Sequence, residues 1–181
     1  VFDIDGPQAI KIADIIRNGS YLSGRKITPA PPLFISAVEN PGTHPFEYRI
    51  ERAIKKQSAG ARFLQLQLCF HLDRLERFCQ GVAKSGTNLP LLPNIILLKS
   101  AKGMEFMNQN VRGINIPQDL IDRVAKAQDP SEAAYQLALE QARFALTLPG
   151  VRGLHITDFR HDETLERLMV DLGREANAYN S

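Results

Sequence analysis

Gln65 and Gln67 alternate with Leu64, Leu66 and Leu68, so both amides project from one side of an apolar run. Burying two amides together is costly unless each finds a partner, which makes the side they share a candidate ligand face. A glutamine donates and accepts hydrogen bonds but transfers protons poorly, so Gln67 suits recognition of an amide or a ring edge. Gln65 is the weaker candidate, and a satisfied core amide is the structural alternative for either. His155, within Gly-Leu-His-Ile-Thr, reads equally as a core histidine bonded to backbone or as a ligand contact. His44, His71 and His161 fall on separate segments without HExxH spacing, so a metal site has only weak support. The sequence carries no serine elbow, Cys-His pair, GxGxxG or Walker A loop. Lys55-Lys56 reads as plain solvated charge, and no general acid stands out.

Apolar runs over 33–38, 62–70, 89–98 and 151–157 predict four strands that position these residues. Helices are predicted over 7–17, 45–58, 72–86, 100–110, 118–128, 130–147 and 161–175. Buried strands alternating with helices predict an α/β fold with parallel strands. In such folds chemistry sits beyond the C-terminal strand ends. Glu39, Asn40 and His44 follow the first strand; Gln67, Phe70 and His71 end the second; Asn94 sits within the third with Lys99 and Ser100 after it; and His155, Thr157, Asp158 and Arg160 lie on or just after the fourth. Four parallel strands suit either a small open sheet or half of an eight-stranded barrel.

Composition narrows the classes without choosing among them. The 181 residues are 44% apolar and 23% charged with a formal charge of +2, an ordinary globular balance. Neither nucleic acid nor a membrane is expected as a partner. With two cysteines, Cys69 and Cys79, a disulfide framework is not expected. No signal peptide is visible, and a cytoplasmic location is the expectation. The opening Val-Phe-Asp-Ile-Asp reads as a clipped terminus or as the middle of a longer protein.

In order along the chain, several strings resemble the later half of the catalytic barrel of the methylenetetrahydrofolate reductase family. VFDIDGPQ resembles the segment after its fourth strand and LFISAVENP its fifth strand. KKQSAGARFLQLQLCFH resembles its lysine, Ala-Gly-Ala and strand segment, LPNIILL its seventh strand and NVRGINIP a later segment. GVRGLHIT resembles its eighth strand. The resemblance implies that residues 1–175 form the last four strands, 5–8, of a (βα)8 TIM barrel, with a polar tail over 176–181. The remaining half would come from the same or another chain, with a homo-oligomer as one such assembly.

The resemblance implies a flavoenzyme that passes hydride from NAD(P)H through FAD to 5,10-methylenetetrahydrofolate. Gln67 corresponds to the glutamine that holds nicotinamide and folate in turn, so it is the expected catalytic residue. Phe70 and His155 are the other expected substrate contacts, and Ser36, Ala37, Asn40 and Lys56 the expected FAD contacts, with Lys56 near the phosphates. The flavin-proximal aspartate and the general-acid glutamate would precede Val1. The chain departs from the family pattern at Leu66, where threonine is usual, and at His71, where aspartate is usual. It departs again at Pro93-Asn94-Ile95-Ile96-Leu97 and at Arg160-His161. A divergent folate-binding barrel without reductase activity, such as a methyltransferase component or a structural partner subunit, is the alternative.

Overall fold

The structure, a computed structural model, describes residues 4–173. The expected tail over 176–181 and most of the VFDID opening lie outside the described residues. The order of elements is α1 (Gly6–Arg17), β1 (Ala37–Glu39), α2 (Phe46–Ala59), β2 (Leu64–Leu66), α3 (Leu72–Lys84) and β3 (Leu91–Leu97). There follow α4 (Ala101–Asn110), α5 (Gln118–Ala125), α6 (Pro130–Thr147), β4 (His155–Asp158) and α7 (Thr164–Asp171).

The four strands form one parallel sheet in the order β1-β2-β3-β4. Each strand pairs with its sequence neighbour, so the winding never reverses. A doubly wound sheet reverses its strand order at a switch point, whereas a barrel is wound sequentially. The observed order therefore fits an arc of a barrel.

Alternation assigns the two faces. Leu64, Leu66 and Leu91 pack with Ala53 of α2, with Leu75, Phe78, Cys79 and Val82 of α3, and with Ala145 of α6. Ile95 and Leu97 pack with Tyr135, Ala138, Leu139 and Ala142 of α6 and Leu168 of α7. Val38, Gln65, Leu92, Asn94, His155 and Thr157 have the opposite parity, and none is fully buried.

The sequence explains the helix ends. Asp5 caps α1, accepting from the Gln8 amide at 2.8 Å while the Gln8 side chain accepts from the Asp5 amide at 2.7 Å. Asp129 caps α6 by accepting from the Ser131 and Glu132 amides, and Pro130 opens the helix. Gly60 ends α2 at φ 121°, where a Cβ would stand 2.9 Å from Asp14, so only glycine lets α2 pass α1 this closely.

Three expectations need correction. The predicted strands are too long: over 62–70 only Leu64–Leu66 pairs regularly, and over 33–38 the ladder begins at Ala37 and extends to Glu39. The fourth begins at His155 and runs to Asp158. Apolar runs continue past the ladder because their outer residues pack under loops. The first strand is also not buried: it lies at the sheet edge, with Phe34 76% and Val38 58% exposed. The last helix spans Thr164–Asp171, because the turn before it is held by Asp158 and Asp162 accepting from backbone amides.

Both cysteines are free, and burial holds their thiols up, Cys69 to about 11 and Cys79 to about 12. The folded chain therefore keeps protons that the unfolded chain releases above about pH 8.5. Their contribution to stability is complete below that pH and is lost as pH rises toward 11–12. We predict an unfolding free energy, from urea titration, that falls between pH 9 and 11 by up to about 1.4 kcal/mol per pH unit for each thiol. A Cys69→Ala, Cys79→Ala variant should show a shallower fall; an identical slope would rule the thiols out as its source.

Candidate functional site

The register places Asn94 level with His155, and Gln67 follows the last rung of β2 on the same face. Gln65 pairs with Leu92, and Gln67 stands one two-residue step further along. Asn94 pairs in register with His155. Gln67, Asn94 and His155 are all half-buried on the face opposite α2, α3 and α6. Gln65 lies one step below on the same face, beside Val38 and Leu92.

Hydrogen bonds orient two of these groups. The Thr157 hydroxyl donates to Asn94 Oδ1 at 3.0 Å. Gln67 Oε1 accepts from the Leu68 amide at 3.1 Å. Each bond fixes the oxygen end of an amide, so Asn94 Nδ2 and Gln67 Nε2 are left as donors without a partner among the described residues. The Gln65 amide and the His155 ring are also uncommitted there. This row offers paired donors and acceptors above an apolar patch of Leu92 and Val38. Such an array recognises the edge of a polar heteroaromatic ring.

Other strand-end groups hold loops. Asn40 Nδ2 donates to the Gly113 carbonyl at 2.9 Å, and its Oδ1 accepts from Gly42 at 2.9 Å. Gly113 has φ 83°, and a Cβ there would lie 2.9 Å from Asn40 Nδ2. His71 Nε2 meets Asn115 Oδ1 at 2.6 Å, and Asn108 binds both the amide and the carbonyl of Ile116. Residues 111–116 thus form a strap tied to the ends of β1 and β2. Arg160 donates to the carbonyls of Leu98 and Ser131 and to the Ser131 hydroxyl, tying the end of β4 to β3 and α6.

A buried charge cluster lies behind β1. Arg49, Arg52 and Lys56 recur at helical spacing on α2 and converge on Glu39, the last residue of β1. Lys56 Nζ is 2.5 Å from Glu39 Oε2 and 2.5 Å from the Val38 carbonyl oxygen. Arg49 and Arg52 stand 3.4 and 3.5 Å from the same carboxylate. Glu39 and Lys56 are each 4% exposed. Removing one partner of so buried a pair costs about 3–5 kcal/mol. Arg52 is held above its ordinary range, first by hydrogen bonding to Tyr48 and then by the Glu39 charge.

The expected site residues therefore separate. Gln67 and His155 share the row, with Asn94 between them. Ser36 is exposed just before β1, with the parity of Val38, whereas Ala37 turns to the helix side beside Ala53. Asn40 holds the strap, and Lys56 is buried against Glu39. Phe70 is 6% exposed in a cluster with Leu98, Met104, Ile114 and Ile116. Sequence reasoning named Asn94 and Glu39 among the strand-end residues without placing either in a site. Parity was the available signal for Asn94; the spacing of the three cations on α2 was the signal for a buried anion. No three His, Cys, Asp or Glu side chains gather as a metal-binding set among the described residues.

Residues 36–173 match the methylenetetrahydrofolate reductase family. The chain belongs to that family. It is similar to methylenetetrahydrofolate reductase 1 of Schizosaccharomyces pombe, at 24% identity over 132 residues, covering 68% of this chain and 22% of that protein. Its fold resembles a solved structure from Clostridium thermocellum, a protein that binds two copies of 5-methyl-5,6,7,8-tetrahydrofolic acid. The TM-score is 0.64 at 17% identity, covering 93% of this chain and 57% of the other. The chain thus spans between about a fifth and three fifths of the length of these proteins.

Family membership suggests a flavin, and the two parts of such a group fit this chain differently. The amide row suits a ring edge. On the cationic stripe of α2 the Glu39 carboxylate already holds Lys56, while Arg52 Nε is buried with no hydrogen-bond partner among the described residues.

Asn40 has a testable structural role. Asn40→Ala should speed amide exchange over 111–116 while leaving α2 and α3 protected. Unchanged exchange in the strap would remove the clamp role.

Proposed function

We propose that this chain binds a reduced folate on the open face of its sheet, with Gln67, Asn94 and His155 meeting the pterin edge. The row itself carries the reading: three recognition side chains on one face, two of them with amide nitrogens left free. A pterin edge alternates donors and acceptors, which carboxamides match in pairs. Leu92 and Val38 offer apolar contact to the less polar part of the ligand. The folate bound by the similar Clostridium protein supports this choice of ligand class.

Family membership suggests a finer activity: reduction of 5,10-methylenetetrahydrofolate by hydride from NAD(P)H through FAD. In that reading Gln67 orients the folate and the nicotinamide in turn, and His155 holds the ring from the next strands. Their work is positioning, which lowers the entropy cost of bringing reactants together. The general acid and flavin-proximal aspartate belong to the rest of the barrel, in the same chain or another. Its strands would pair along the free edges of β1 and β4, where Val38 and Phe159 are 58% and 57% exposed.

Isothermal titration with 5-methyltetrahydrofolate tests the binding reading. The wild-type chain should bind it, and Gln67→Ala and Asn94→Ala should each weaken binding at least about tenfold, roughly 1.4 kcal/mol. Their far-UV circular dichroism should match wild type, because neither side chain belongs to an apolar core cluster. Absence of wild-type binding at about 1 mM folate would sink the reading. Oxidation of NADH or NADPH that depends on methylenetetrahydrofolate would establish the reductase activity; folate binding without it favours the non-reductase barrel.

A further inference from the structure

We infer that Glu39 is a built-in counter-anion that closes the cationic face of α2 to ligand phosphate, so that the folate face works without a dinucleotide flavin anchored there. This rests on the folate reading for its ligand, and on the charge cluster for its exclusion.

The helix face explains why an anion is required. Arg49, Arg52 and Lys56 stand at i, i+3 and i+7 on α2, and Ala53 beside them is fully buried. A stripe facing a sheet is ordinarily apolar. Three cations there need an anion close by, supplied by a ligand or by the chain. Glu39 reaches all three from the end of β1. Its carboxylate accepts from Lys56 Nζ at 2.5 Å and lies 3.4 and 3.5 Å from Arg49 and Arg52.

The same contacts occupy Lys56 and part of Arg49, whereas Arg52 Nε, 3.5 Å from Glu39, is buried with no hydrogen-bond partner among the described residues. Lys56 spends one ammonium proton on Glu39 and another on the Val38 carbonyl, and its side chain is 5% exposed. Arg49 also donates to the carbonyls of Thr43 and His44. The nearby start of α1 narrows the approach: a Cβ on Gly6 would stand 3.6 Å from Arg52 Nη2 and 3.9 Å from Lys56 Cε. Asp5, at the head of α1, adds a second negative charge that acts on Arg52. A diphosphate entering here would meet the Glu39 carboxylate in a site of low dielectric, where like charges repel strongly. Glu39 is therefore a specificity residue acting through repulsion and occupancy. It stands apart from the row of Gln67, Asn94 and His155, so the pterin face stays open while the phosphate seat is filled.

Binding of FAD, inorganic pyrophosphate and 5-methyltetrahydrofolate to the wild-type chain and to Glu39→Gln tests this. The wild type should bind the folate but neither FAD nor pyrophosphate. Glu39→Gln keeps the shape, removes the charge, and should bind pyrophosphate at least about tenfold more tightly with folate affinity unchanged. Stoichiometric FAD on the wild type, loosened tenfold or more by Lys56→Gln, would overturn the inference. So would a Glu39→Gln chain that folds and gains no pyrophosphate affinity. If that variant does not fold, the wild-type FAD titration decides. A wild type that binds neither folate nor FAD, beside a Glu39→Gln that gains pyrophosphate, would reject the folate reading and keep the role of Glu39.

Discussion

The two-residue period of a parallel strand is the constraint on which the rest of this molecule depends. Leu64, Leu66 and Leu91 enter the core shared by α2, α3 and α6, and Ile95 and Leu97 the core between α6 and α7. These contacts fix the register of β2 on β3. A one-residue slip would send Gln65, Gln67 and Asn94 into apolar packing and turn the leucines outward. The hydrophobic energy that builds the outer layer thus also sets three recognition groups on the opposite face. No separate device is needed to align them, apart from the Thr157 and Leu68 hydrogen bonds that turn the two amides.

Polar residues at the strand ends divide into two kinds. Asn40, His71 and Arg160 spend their hydrogen bonds on loops. They hold the 111–116 strap over the ends of β1 and β2, and fasten the end of β4 to β3 and α6. Gln65, Gln67 and His155 keep groups unspent. The division has a physical basis: a loop over a strand end carries orphan carbonyls and amides that must be satisfied, and short amide or imidazole side chains reach them. What is left uncommitted after that requirement is met is the better guide to a ligand site.

Much of this was legible in the residues, and the failures have particular causes. The strict alternation through Leu64–Leu68 announced both the strand and the shared side of its glutamines. Asp5 and Asp129 cap two of the helices expected from the sequence, those over 7–17 and 130–147. Strand lengths misled, because Leu68 and Phe70 continue the apolar run after the ladder stops and pack instead beneath the strap with Ile114 and Ile116. That contact joins segments more than forty residues apart, and nothing local specifies it. Lys56 misled differently. A lysine beside a second lysine reads as solvated charge, and its buried state appears only when Glu39, on a different element, is brought to 2.5 Å.

The Glu39 cluster also shows what the end of a strand tolerates that its middle does not. Helix-side positions of the strands answer to packing, and a substitution there is felt by the whole sheet. Glu39 has helix-side parity but sits at the last rung, where the sheet gives way to loop and a charge can be accommodated if cations surround it. With Arg49 and Arg52 on the facing stripe, the carboxylate is compensated inside the protein. Three cations face one carboxylate, so the cluster stays net positive with Glu39 in place. The three cations and the carboxylate therefore form one unit that joins the end of β1 to α2.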